Sequence, residues 1–159
     1  MKNIMARRVL AAGFAIAAAT TLAACGEDEP TRDADNKITE SGEARADAIE
    51  VGDCVNEPDG TEFTSVSAVP CDESHDYEII HEFELDGDEY DEDAIFTQAE
   101  ETCVDEFETF AGISYDESVL DWDVFYPNDV AWDSGDHSAK CIIFDTEGPV
   151  EGSLEGAAR

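Results

Sequence analysis

The chain has 159 residues, of which 41 are Asp or Glu and only 8 are Lys or Arg, a formal net charge of −33 at pH 7. So few cations cannot form the patch that displaces counterions from phosphates, which excludes nucleic acid as a partner. The length suits one small domain, not several.

Lys2, Arg7 and Arg8 precede an uncharged, alanine-rich run from Val9 to Leu22 that is too short for a comfortable membrane span and shaped like the apolar core of an export signal. The run ends in Leu22-Ala23-Ala24-Cys25, small residues leading to a cysteine, which is how a bacterial lipoprotein signal is written. The chemistry needs that thiol: it takes a diacylglyceryl group, and the peptide is cut just before it. Residues 1–24 are therefore expected to be a signal peptide and Cys25 the lipidation site. The lipid bilayer is then the first partner, and the outer, extracytoplasmic face of the cell membrane the location. Two acyl chains hold a protein stably where one exchanges. Cleavage removes 3 of the 8 basic residues and none of the acids, leaving 5 − 41 = −36. Such a domain is repelled by anionic headgroups, so the lipid and not the protein surface is the tether.

From Gly26 to about Ala48 the chain carries one isoleucine, no aromatic residue and many charges, a composition expected to stay disordered. Residues 25–48 read as an acidic tether. From Ile49 to Arg159 the texture changes to apolar alternation with turn signals, and one domain is expected. Ile49 to Val55 and Phe63 to Val69 read as a hairpin across Pro58-Asp59-Gly60. Tyr77 to Leu85 reads as a third strand with Tyr77, Ile79, His81, Phe83 and Leu85 on one face. The acidic run Asp86 to Asp93 departs from a calcium loop: Tyr90 occupies a ligand position, and no Glu closes the loop. A helix is expected between Asp91 or Asp93 as N-cap and Gly112 as stop, with Phe96, Ala99, Cys103, Phe107 and Phe110 facing the core. Val119 to Tyr126 and Lys140 to Asp145 complete the sheet, separated by turns around Pro127 and Ser134-Gly135-Asp136. The expected fold is α+β, a small, mostly antiparallel sheet with one main helix packed on it.

Apart from Cys25 there are four cysteines, Cys54, Cys71, Cys103 and Cys141, an even number that reads as two disulfides with three possible connectivities. Placement favours Cys54 with Cys71, across the first hairpin, and Cys103 with Cys141, from helix to last strand. A zinc site using His75 is the competing reading, but no CxxC pair supports it, and no metal or other cofactor is expected. Ser74-His75-Asp76 and Ser134 to His137 bring triad residue types close in sequence, which is little evidence, since triads assemble in space. In Gly152-Ser153-Leu154-Glu155-Gly156 the serine falls one place early for a nucleophile elbow. No catalytic residue is assigned. Candidate binding residues are the aromatic segment Trp122, Phe125, Tyr126 and Trp132, together with His75.

Val51-Gly52-Asp53-Cys54, Val69-Pro70-Cys71 through His75 to Glu78, Cys103 in a helix, Tyr126-Pro127, Trp132, Gly135-Asp136 and Cys141 together resemble the septum-formation domain of actinobacterial envelope proteins. The likeness extends to Gly152-Ser153-Leu154. Ser74 stands where that family often has proline, and His137 where it often has arginine. The resemblance implies a non-enzymatic extracytoplasmic domain tied to cell division or envelope upkeep. Its partner would be an envelope or division protein, and it brings no catalytic residues to carry over. Two other functions are open to a chain of this kind, capture of a cation or solute and hydrolysis in the envelope.

Overall fold

Ten strands and two α-helices run through residues 29–60 and 62–159, the part of the chain described by the computed structural model; the expected export signal and Cys25 lie outside the described residues. The strands are β1 (Thr31–Arg32), β2 (Ile38–Glu40), β3 (Gly42–Arg45), β4 (Cys54–Val55), β5 (Ser65–Val69), β6 (Ser74–His75), β7 (Tyr77–Glu84), β8 (Leu120–Phe125), β9 (Ser138–Asp145) and β10 (Val150–Glu151). Helix α1 (Glu92–Ala111) joins β7 to β8, and the short α2 (Asp129–Asp133) joins β8 to β9. Six strands form one antiparallel sheet in the order β3-β5-β4-β7-β9-β8, while β1 pairs with β2 and β6 with β10. The architecture is α+β with one main helix, as the sequence leads one to expect.

Helix α1 begins and ends on local chemistry. Asp91 Oδ1 accepts from the N–H groups of Asp93 (3.0 Å) and Ala94 (3.2 Å), and Glu92 and Asp93 add negative charge to the first turn. Part of the acidic run at 86–93 is thus a helix cap. Gly112 stops the helix at φ +75°, a conformation that a side chain disfavours. The buried row is Ile95, Ala99, Cys103, Phe107 and Ala111, so the expected row is right at its centre and wrong at its ends. A row of i, i+4 spacing is inclined to the helix axis and can follow a twisted sheet. Phe110 is left partly buried, and Phe96 is turned out to 50% exposure.

Both expected disulfides are present. Cys54 bonds Cys71 with a Cα–Cα distance of 5.2 Å, and Cys103 bonds Cys141 at 5.4 Å, pinning α1 to β9.

The sheet has two apolar faces because β7 changes face within itself. The register with β9 shifts between Ile79 and His81. Tyr77 and Ile79 therefore face away from α1, while Ile80, Phe83 and Leu85 pack on the helix side. The single face expected for Tyr77, Ile79, His81, Phe83 and Leu85 is split by this bulge.

The second face corrects the expectation of a disordered tether up to Ala48. Val55, Val66, Ala68, Ile79 and Ile142 form an apolar surface that Ala44 of β3 extends, and Ile38 and Ile49 pack against it. Strand β3 adds to β5 in the register Gly42↔Ala68 to Arg45↔Ser65. Arg32 donates a fork of two bonds (2.7 and 2.6 Å) to the buried carboxylate of Asp53, which also accepts from the Glu50 N–H at 2.8 Å. Window composition misses this segment because its few apolar residues suffice when the sheet supplies the rest of the contact. The strand expected over Ile49–Val55 contracts to Cys54–Val55, since residues 46–48 form a 3₁₀ turn and Gly52 bends the chain at φ +93°.

Candidate functional site: a groove between helix and edge strand

The residues around His75 form a closed structural knot. Its ring is fully buried, Nδ1 lies 2.9 Å from the Glu73 carbonyl oxygen, and Nε2 has no hydrogen-bond partner. Asp76 accepts from the Glu57 N–H, so Ser74, His75 and Asp76 do not form a relay. Buried Glu78 accepts from Ser153 Oγ and from the Leu154 N–H, both at 2.7 Å, which fastens the closing segment to β7. Ligand-type atoms of Cys54, Cys71 and Glu78 lie within 4.8 Å of one another, yet the sulfurs are joined and the carboxylate oxygens are occupied. Ser134 Oγ donates to the Val130 carbonyl, and His137 stacks on Trp132 with ring centroids 3.9 Å apart. His81 Nδ1 approaches Glu106 Oε2 to 3.7 Å, too far for a hydrogen bond.

The aromatics proposed for binding do not share a surface. Trp132 is buried against Tyr90 and His137. Phe125 belongs to the second face, edge-on to Phe63 at 5.0 Å and Tyr77 at 5.9 Å. Tyr126 is 36% exposed. Only Trp122 lines a cavity of note.

That cavity, of about 370 Å³, lies between α1 and the free edge of β8. From α1 come Phe96, Glu100 and Val104, at i, i+4 and i+8 along one side of the helix. From the turn before β8 come Tyr115 and Asp116, and from β8 itself Asp121, Trp122 and Asp123. Phe96 and Trp122 meet at 6.4 Å with a 40° tilt, and Tyr115 packs edge-on against the buried Phe107 at 5.4 Å. The Tyr115 hydroxyl donates to Asp121 Oδ1 at 2.8 Å; this bond, with burial, raises the phenol above its usual range and keeps it a neutral donor. Sequence patterning misses Phe96, Val104 and Tyr115. The available signal was the i, i+4, i+8 spacing of Phe96, Glu100 and Val104, one position off the core row.

Edge strand β8 is closed to strand addition by its own side chains. Among the described residues it pairs with β9 alone, so alternate N–H groups point outward. The Leu120 N–H donates to Ser118 Oγ (3.0 Å), that of Trp122 to Asp121 Oδ1 (2.9 Å), and that of Val124 to Asp123 Oδ1 (2.8 Å). Asp121 and Asp123 thereby curl around the edge into the groove.

No helix among the described residues is long and apolar enough to cross a membrane. Comparison with curated proteins and with solved structures finds no match. Residues 51–156 match the family described as Septum formation, a span that takes in both disulfides and the whole groove and leaves β1 to β3 outside. On that match, which covers most of the chain, the protein belongs to the septum formation family.

Proposed function

We propose that this protein is a lipid-anchored, non-enzymatic binding module on the outer face of the cell membrane, working in septum formation. Family membership supports the tie to the septum. The anchor rests on the Leu22-Ala23-Ala24-Cys25 pattern. Two disulfides in a domain this small suit an oxidising, extracytoplasmic compartment. The binding role rests on one observation, the groove between α1 and β8, where half-exposed Phe96 and partly buried Trp122 sit among carboxylates and no histidine or cysteine lines the wall.

Two measurements test the parts separately. Mass spectrometry of the exported protein is expected to find a diacylglyceryl group on an N-terminal Cys25, and Cys25→Ser to release the chain from the membrane fraction. A fluorescent fusion placed after residue 159 is expected to concentrate at the septum of dividing cells. An unmodified Cys25 would remove the anchor, and even labelling of the envelope would remove the septal role.

A further inference from the structure

We propose that the groove between α1 and β8 takes an arginine-bearing extended segment of a partner protein, and that it reads the segment's side chains instead of pairing with its backbone. The proposal rests on the binding-module reading above and names the partner's chemistry.

Charge complementarity supplies the first argument. Glu100, Asp116, Asp121 and Asp123 surround the groove, and none of them has a basic partner among the described residues. Among the described residues the cations are engaged elsewhere: Arg32 with Asp53, Arg45 with Asp47, Lys140 with Glu82 and Arg159 with Asp145. Lys37 lies in the turn between β1 and β2, on the segment that covers the other face of the sheet. An occupant must therefore bring positive charge from outside.

The floor decides what kind of cation. A hydrated calcium ion wants six to eight converging oxygens, whereas here Phe96, Val104, Tyr115 and Trp122 stand between the carboxylates. Aromatic faces among carboxylates suit a weakly hydrated, planar guanidinium, which stacks on an indole face while its N–H fork meets a carboxylate. Asp121 and Asp123 each spend Oδ1 on a backbone N–H, and Oδ2 of each has no donor among the described residues. Tyr115 holds Asp121 in place for that contact.

The edge decides how the segment is read. Strand addition needs free outward N–H groups, and those of Leu120, Trp122 and Val124 are taken by Ser118, Asp121 and Asp123. The volume of about 370 Å³ holds one long side chain and its neighbour, at the small end of ligand sites.

The test uses the full-length protein in a non-ionic detergent and a blocked arginine–leucine–arginine tripeptide. The chain has two tryptophans, so the indole N–H signals in a nitrogen–proton spectrum separate groove from core. Trp122 is expected to shift and saturate while buried Trp132 stays still. The glutamine–leucine–glutamine tripeptide should bind about tenfold more weakly, as should the double variant Asp121→Asn/Asp123→Asn. Phe96→Ala, at a half-exposed position that the fold does not need, should weaken binding about threefold. Glu40→Gln/Glu43→Gln removes the same charge on β2 and on β3, the sheet edge opposite β8, and should change binding less than twofold. A stationary Trp122 signal, or an equal loss with the distant pair, overturns the proposal by showing diffuse attraction to an acidic surface. Tripeptide binding with even envelope labelling would uphold the groove and remove only the septal role. Septal labelling with a stationary Trp122 would do the reverse.

Discussion

All four tyrosines hold their protons more tightly than free tyrosine, for two different reasons. Burial is the main cause for Tyr77, Tyr90 and Tyr126, with nearby carboxylates adding to it, and Tyr90 beside Glu92 is pushed up from 10.0 to about 12. For Tyr115 the hydrogen bond to Asp121 comes first. A raised folded-state value means that the neutral phenol favours the fold. That contribution is complete below about pH 10, the value in the unfolded chain, and is lost at higher pH, toward 12 in the case of Tyr90. Ultraviolet titration of the native protein should therefore show less than half of the tyrosines ionised at pH 10, and Tyr90→Phe should remove the component near 12. A native titration centred at or below 10 would contradict the packing of all four rings.

Among the elements, the N-terminal segment carries the least expected role. Strand β3 extends the sheet at its edge, Ile38 of β2 packs on the second face, and the Arg32–Asp53 pair pins the segment. Arg32→Ala would leave Asp53, 3% exposed, with only the Glu50 N–H as a donor. Removing one partner of a buried pair costs up to about 3–5 kcal/mol, and Arg32 is partly exposed, so a loss of about 2 kcal/mol is expected from urea unfolding. A change within roughly 0.5 kcal/mol, the range of ordinary surface substitutions, would mean that the segment lies on the fold without supporting it. Helix α1 behaves differently, since Asp91 and Gly112 bound it by contacts made within a few residues.

Across the whole molecule, charge is the dominant strain on the fold. The chain carries a formal −33, and among the described residues four of the five cations are already paired with acids. The surplus carboxylates repel one another with nothing to offset them but solvent and salt. Raising NaCl from about 0.01 M to 1 M shortens the screening length from roughly 30 Å to 3 Å and should raise the Tm by calorimetry. An unchanged Tm would show that the two disulfides and two apolar faces carry the fold without regard to surface charge. Cys103–Cys141 resists that repulsion by tying the helix to the sheet, and Cys54–Cys71 by clipping the first hairpin.

Much of this architecture is legible in the linear sequence wherever the cause is local. Asp91 and Gly112 mark the helix, alternation marks β5, β7, β8 and β9, and the placement of four cysteines on those elements points to both disulfides. Three features are decided only by tertiary contact: the face change at Ile79, the cover supplied by Ile38 and Ile49, and the groove at Phe96 and Trp122. Caps and turns depend on neighbours a few residues away, so their chemistry is written in consecutive letters. A face, a cover or a groove depends on which distant surface is left bare, and one extra residue in β7 exchanges the two sides of a strand without altering its composition.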